Sequence, residues 1–396
     1  MIKRRVFRLP GIEELTKEQE SVLALPLDGQ HLIVGGPGTG KSVVALLRAR
    51  RLASREHPYT FLVYNHLLNR ANQQLFPKNL VSKTWNSWFF SLYRKEVGRS
   101  APMIEDSSPS SFKPIDWEQV IRCFESLDLG RNERMHWLVV DEGQDMPPEF
   151  YQSLIEIGFE KFFVVADQNQ QIASENSNRG DLEDVLNVET QDVIELHVNF
   201  RNSHSIALLA RQFYTGDPAS PPPELPRSGR SSTPTLYRYS RDRYGIVIRR
   251  IVLTADNKPR RLVGLITPRD EIRFRYHRDL SNTAQVMLKE GKLSNGLPQI
   301  RTFSNRDQSQ DVRFDRGGIL VINVQACKGL EFDTVICADI DQFPIQTDDL
   351  DRARKLFYVM VARARRKVVL LQQREVESHV NSILPRDDEV LERREI

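Results

Sequence analysis

Residues 35–42 read Gly-Gly-Pro-Gly-Thr-Gly-Lys-Ser. The run fits the spacing G-x-x-x-x-G-K-[ST], and its flanks restrict the fold. The preceding 30-QHLIVGG is an apolar, β-branched run of strand length, and 42-SVVALLRARRLASRE reads as a helix. A glycine-rich turn between a strand and a helix points backbone N–H groups inward and sets the positive end of a helix at the turn. That arrangement suits nucleotide phosphates. Gly35, Gly36, Pro37, Gly38, Thr39 and Gly40 are expected to form the cradle. Lys41 would reach the β- and γ-phosphates and Ser42 would ligate Mg²⁺, so ATP and Mg²⁺ are the expected cofactors. A turn that matches by accident would not explain the strand and the helix on either side.

Similar apolar runs recur at 60-TFLVYN, 136-HWLVVDE and 161-KFFVVAD, with helical patterns between them. Strands so uniformly apolar are buried on both faces, and the βαβα order implies a parallel sheet covered by helices. The pattern resumes at 192-DVIELHV, 261-RLVGLITP, 318-GILVINVQA, 333-DTVICADI and 366-RKVVLLQ, with helices near 202–213, 241–253 and 348–362. Two α/β domains are therefore expected, 1–193 and 194–396. The stretch 216-GDPASPPPELPRSGRSSTP reads as a surface connection, and 372–396 as a solvated helix and tail or a docking segment.

A chain of 396 residues with 40% hydrophobic residues has ample core for two domains. A net charge of +3 allows a nucleic-acid partner without requiring one. The cysteines are Cys123, Cys327 and Cys337, an odd number without metal-site spacing, which points to a reducing, cytoplasmic setting. The opening MIKRRVFRLPGIEEL holds no signal-like apolar run, and no membrane span of roughly 18 apolar residues occurs.

The stretch 138-LVVDEGQDMPPEF ends a buried strand in two carboxylates. The carboxyl end of a parallel strand faces the ligand crevice. Asp141 is placed to hold the Mg²⁺ shell, and Glu142 to polarise the attacking water. The plainer reading is an acidic helix start at Asp145-Met146-Pro147-Pro148, and both readings can hold together.

D-E-x-Q-D beside such a loop resembles the UvrD/Rep type of superfamily 1 helicases, and further motifs follow in that family's order. The resemblance runs from Gln19 to about residue 371. In 15-LTKEQE, Gln19 stands at the position expected to read the adenine edge. In 163-FVVADQNQQI, Asp167 and Gln170 match G-D-x-x-Q, whose glutamine links the γ-phosphate to the nucleic-acid site. Arg201 in 197-HVNFRNS and Arg363 in 356-LFYVMVARARRK match the two arginines expected at the γ-phosphate. The stretch 325-QACKGLEF resembles H-S-A-K-G-L-E-F, placing Gly329 and Glu331 near the nucleotide sugar and phosphates. The resemblance implies two tandem RecA-like domains with the nucleotide in the cleft between them. Asn65, Thr84 and Trp85 fall at matched single-strand-binding positions, although Trp85, Trp88, Phe89 and Phe90 also read as the core face of a helix.

Departures fall on the nucleic-acid side. The aromatic-rich run after Gln170 is replaced by 171-QIASENSNRG, Gln325 stands for the usual histidine, Ala362 for the usual threonine, and Asn86 where histidine is common. The short separations of Arg94 from Asp141 and of Arg201 from Lys328 leave no room for large accessory insertions. The reading is an ATP-dependent translocase or helicase on single-stranded DNA, with 3′→5′ polarity implied by K-G-L-E-F. No residue distinguishes DNA from RNA. The alternative is a nucleic-acid-sensing ATPase subunit that regulates a protein partner such as a nuclease, resembling components of anti-phage systems such as Gabija.

Overall fold

The computed structural model describes residues 14–75, 80–104, 113–127, 134–167, 177–215, 222–227, 232–303, 314, 316–345, 349–376 and 378–396. Every apolar run expected to be a strand is one. The first six strands are β1 (His31–Gly35), β2 (Tyr59–Val63), β3 (Ser82–Thr84), β4 (Trp137–Asp141), β5 (Phe162–Ala166) and β6 (Ile194–Leu196). They form one sheet in the order β3-β2-β4-β5-β1-β6, and all its pairings are parallel. β2, β4 and β5 are buried at every position, as continuous apolar strands between two helical layers must be. One layer packs Val44, Ala45, Ala49 and Leu52 of the helix Lys41–Ser54 against Ile33, Phe61 and Val139. The other packs Phe89, Tyr93, Phe124, Phe150 and Leu154 against Leu62, Val140 and Val164.

The second sheet comprises β7 (Thr235–Tyr239), β8 (Leu262–Thr267), β9 (Ile300–Thr302), β10 (Gly318–Asn323), β11 (Phe332–Cys337), β12 (Ala364–Gln373) and β13 (Glu392–Glu395). Its order is β13-β7-β12-β11-β8-β10-β9, again parallel throughout. The molecule is thus two tandem RecA-like α/β domains. Among the described residues no helix is long and apolar enough to cross a membrane.

Two boundaries differ from the sequence reading. β6, taken as the start of the second domain, pairs with β1 and completes the first sheet, so the junction lies past Leu196 instead of at 194. The next helix, His204–Arg211, already packs in the second domain, with Ile206 and Leu209 against Phe357 and Val361. The C-terminal stretch is not a solvated helix. It buries Val380, Ile383, Leu384, Val390 and Leu391 and adds β13 to the edge of the second sheet beside β7. The proline-rich connection lies mostly outside the described residues, but Pro223 sits where a Cβ on Gly36 would come within 2.5 Å of its Cδ. That part of the segment closes over the glycine-rich loop.

The domains are packed together. Leu67 and Ala71, on the first-domain helix His66–Leu75, belong to the same apolar cluster as Phe314, Leu330 and Phe332 of the second. A Cβ on Gly329 would lie 2.6 Å from Leu68, so this contact, at φ +71°, is one that glycine permits.

Candidate nucleotide site in the interdomain cleft

The chain leaves β1 at Gly35, turns, and enters the helix Lys41–Ser54. Gly38 and Gly40 have φ of +83° and +92°, and a Cβ on Gly38 would meet Asn199 Oδ1 at 2.3 Å. Both glycines are therefore required by backbone conformation and by close approach. The Lys41 ammonium lies back in the loop, donating to the carbonyls of Gly35 (2.7 Å) and Gly36 (2.9 Å) and to Asp167 Oδ2 (3.1 Å). Gln19 closes a capping box with Thr16 and donates to Thr39 O at 3.0 Å, which ties the first helix to the loop.

β4 delivers Asp141 to the same place. Ser42 Oγ donates to its Oδ1 at 3.1 Å, while Oδ2 is buried without a partner among the described residues. Burial, and then the charge of Glu142, push the Asp141 carboxyl up to about 7. Glu142 sits at φ +59°, a left-handed conformation costly for a residue with a side chain. Burial works against its charge, but Arg363, Lys41, the Gln144 amide and Lys328 together hold its carboxyl below the ordinary value. Two adjacent carboxylates are thus pushed in opposite directions, and Glu142 keeps the charge a base needs.

The second domain closes the cleft. Arg363 is the C-cap of the helix Leu350–Ala362, 1% exposed, with Nε and Nη2 lacking partners among the described residues. Arg201 donates through Nε to Glu331 Oε1 at 2.8 Å, and its Nη1 is buried without a partner among the described residues. Burial opposes ionisation of Glu331, and Arg201 and Arg365 overcome it. Gln19, Gly38, Lys41, Ser42, Glu142, Arg201, Glu331 and Arg363 all line one cleft of about 240 Å³. The stretch 324-VQACKGLEFDTV and the glycine-rich loop are therefore two walls of one site.

The residues fit ATP and Mg²⁺. Arg201 and Arg363, whose guanidinium groups keep N–H atoms unpartnered among the described residues, line the same cleft as the glycine-rich loop, and Asp141, which accepts from the Ser42 hydroxyl, keeps one oxygen unpartnered among them. Among the described residues no group of three or more His, Cys, Asp or Glu could hold a metal. A Mg²⁺ held by Ser42 and Asp141 would complete its shell with phosphate and water.

Some features were not read from the sequence. Phe200, 54% exposed, lines the cleft, and its N–H bonds Gly38 O at 2.9 Å. An exposed aromatic between two Asn positions in 199-NFRN was the available signal. Asn202 donates to the carbonyls of Ala362 (3.1 Å) and Ala364 (2.6 Å) on either side of Arg363, and Asn199 Oδ1 accepts the N–H groups of Arg201 and Asn202. This pair positions both arginines. Lys328 crosses the cleft to Asp145 at 2.5 Å, both side chains nearly fully buried, with the Tyr64 ring 5.4 Å from the ammonium. Burial, partly opposed by Lys328, pushes the Asp145 carboxyl up to about 7.

Other expected site residues lie elsewhere. Gln170 is outside the described residues. Gly329 packs on the first-domain helix and does not line the cleft. Asn65 accepts from Leu68 N at 2.8 Å as a helix cap, and its amide reaches Lys328 O at 3.5 Å. Thr84 is buried at the head of the helix Trp85–Val97. Trp85, expected to contact nucleic acid, packs in the core, stacked 6.4 Å from Trp117 and edge-on to Phe150 at 5.3 Å. Its helix turns it inward with Trp88, Phe89 and Leu92, so protein already covers it.

Two family models match. Residues 318–371 match the UvrD-like helicase C-terminal domain, the stretch that carries Glu331 and Arg363. Residues 30–229, just over half the chain, match the Schlafen group 3 DNA/RNA helicase domain. Among solved structures, the C-terminal domain of a possible DNA helicase from Lactobacillus plantarum WCFS1 aligns at 15% identity and a TM-score of 0.34, over 50% of this chain and 99% of that one. No curated protein matches. By the extent of the longer match, the chain belongs to the Schlafen group 3 DNA/RNA helicase domain family.

Proposed function

We propose that the protein hydrolyses ATP between its two domains and uses the resulting domain motion to move along single-stranded DNA, as a translocase or helicase of the UvrD-like type with 3′→5′ polarity. The observation that carries this reading is the convergence of Arg201 and Arg363 on the cleft that holds Lys41, Ser42 and Glu142. γ-Phosphoryl transfer spreads negative charge over several oxygens, and a lysine with Mg²⁺ meets only part of it. Mg²⁺, when bound with the nucleotide, neutralises charge on the β- and γ-phosphates. Ser42 and Asp141 would hold that ion, Lys41 would leave its loop carbonyls for the phosphates, and Glu142 would accept the proton of the attacking water. Arg201 and Arg363 act only while the domains are together, so nucleotide state sets domain spacing.

A second reading has one observation in its favour. The aromatics expected to stack bases, Trp85 and Trp88, are core residues, and Phe200 lines the nucleotide cleft. An ATPase that senses nucleic acid and regulates a partner such as a nuclease needs less of a stacking track than a helicase does. ATP turnover measured with and without single-stranded DNA, duplex DNA and RNA separates the two. Strong stimulation by single-stranded DNA, followed by displacement of a labelled strand, supports the motor. Turnover indifferent to every nucleic acid removes it.

A further inference from the structure

The turn that carries Glu142 has a counterpart in the second domain. β4 ends in Asp141, Glu142 follows at φ 59° and ψ 46°, a 3-10 turn covers Gly143–Asp145, and Met146-Pro147 leads away extended. After β11 and Ala338, Asp339 takes φ 46° and ψ 55°, a 3-10 turn covers Ile340–Gln342, and Phe343-Pro344 follows. The hydrogen bonds repeat as well. Asp145 N donates to Glu142 O and Gln342 N to Asp339 O, each at 2.9 Å. Gln144 Oε1 accepts from Asp167 N at 2.9 Å, and Asp341 Oδ1 accepts from Gln373 N at 2.8 Å. Asp167 and Gln373 each stand at the carboxyl end of the neighbouring strand, β5 or β12. One strand further lie β1 and β7, each followed by a short loop and a 14-residue helix, Lys41–Ser54 or Tyr244–Asn257, with an edge strand, β6 or β13, beyond.

At the matching place the second domain has a cavity of about 590 Å³, whose lining includes Tyr239, Arg241, Tyr244, Arg275, Gln342 and Gln373. It is therefore the topological partner of the nucleotide cleft, and its volume suits one small ligand better than an extended strand. Its chemistry has changed. Ala338 stands for Asp141, Tyr244 for Lys41 and Gly245 for Ser42, so the metal ligands and the lysine are gone. The loop 240-SRDR has no glycine to turn its N–H groups inward. Asp339, at the place of Glu142, is fully buried and accepts from Tyr239, from Tyr276 at 2.8 Å and from Arg275, which leaves it unable to act as a base. What remains is recognition without hydrolysis. Arg241 offers positive charge, whereas Arg275 is ion-paired with Asp339 and keeps only a buried Nε unpartnered among the described residues, and the first N–H of the helix Tyr244–Asn257 is bonded to Arg241 O. The two glutamine amides offer hydrogen bonds, and the Tyr244 ring, over which Arg275 lies 5.5 Å from the centroid, lines the cavity wall.

We propose that this cavity binds a free nucleotide, phosphate towards Arg241 and ring towards Tyr244, independently of Mg²⁺ and without hydrolysing it. Equilibrium binding of a fluorescent ADP analogue in chelator tests this in the whole chain. The expected result is a second class of site that survives Lys41→Ala and weakens at least tenfold in Arg241→Glu, with the first site unchanged. Arg241 is exposed, so its substitution leaves the fold intact, which an unchanged unfolding temperature verifies. A single site lost with Lys41→Ala overturns the proposal, as does a second site indifferent to Arg241→Glu, or one displaced by an oligonucleotide and not by ADP. Because the second site is scored in Lys41→Ala, its presence or absence is read independently of whether the interdomain cleft hydrolyses ATP.

Discussion

Replacing Lys328 by Met tests how the two domains are held. The Lys328 ammonium lies 2.5 Å from Asp145 with both groups nearly fully buried, and the turn Gly143–Asp145 that it grips follows directly on Glu142. The Asp145 carboxyl is raised by burial to about 7 even with Lys328 beside it. A carboxyl raised on folding binds more protons folded than unfolded between its ordinary value and 7, so its contribution to stability falls as pH rises through that window. Lys328 offsets part of that loss, and its removal raises Asp145 further. The lower the pH, the more of the Asp145 carboxyl is protonated, so the cost of Lys328→Met should fall on acidification towards about 1 kcal/mol, the scale of one lost hydrogen bond. Above pH 7 the cost should grow by up to about 1.4 kcal/mol per pH unit. It should approach the roughly 3–5 kcal/mol of a stranded buried charge. Denaturant unfolding of the wild type, Lys328→Met, Asp145→Asn and the double variant at pH 6 and 8.5 measures this. The double variant should be more stable than Lys328→Met alone at pH 8.5, because no charge is left unpaired. A cost that is the same at both pH values, or a double variant no better than the single, would refute the reasoning.

Other expectations follow from the same contacts. Glu142→Gln should bind nucleotide normally while turnover falls 10²-fold or more, about the loss expected when a general base is removed, as single-turnover hydrolysis and ADP binding will report. Trp85→Ala should destabilise the first domain by about 3–5 kcal/mol through the cavity it leaves. Single-strand affinity of the folded protein should stay unchanged in a filter-binding assay. Deleting 390–396 removes β13 with Val390 and Leu391 and bares the β7 edge, so thermal melting should fall and light scattering should rise.

The central strands were legible because β2, β4, β5 and β8 are apolar at nearly every position, and the strand–turn–helix around the glycine-rich loop because its glycines, lysine and serine have fixed spacing. The edges were not. β13 reads Glu-Arg-Arg-Glu and β9 has three residues, and an edge strand is held by backbone bonds to one neighbour and needs little apolar sequence. The 20-residue helix Asp270–Lys289 was obscured because Phe274, Val286 and Leu288 are exposed while Arg273 is buried, which breaks the expected stripe. The domain junction was misplaced because 192-DVIELHV looks the same whichever sheet it joins, and only pairing with β1 decides. Trp85 was ambiguous because a helix's core face and a stacking platform use the same residue type. Motif order pointed to Glu142 and Arg363, which line one cleft, whereas Asn199 and Asn202, which bond the backbone around the two arginines, required coordinates.

The direct test of a shared interdomain site is ATP turnover by Arg363→Ala, measured beside nucleotide affinity and unfolding temperature. Arg363 comes from the second domain and lines the cleft that also holds Lys41 and Glu142. Turnover should fall by about 10³-fold or more, the scale of an arginine that completes a phosphoryl-transfer site. Nucleotide affinity should be nearly unchanged, and the protein should stay cooperatively folded, with a modest drop in melting temperature from removing a buried cation near Glu142. Normal turnover, or a large loss of thermal stability in its place, would contradict a catalytic cleft built from both domains.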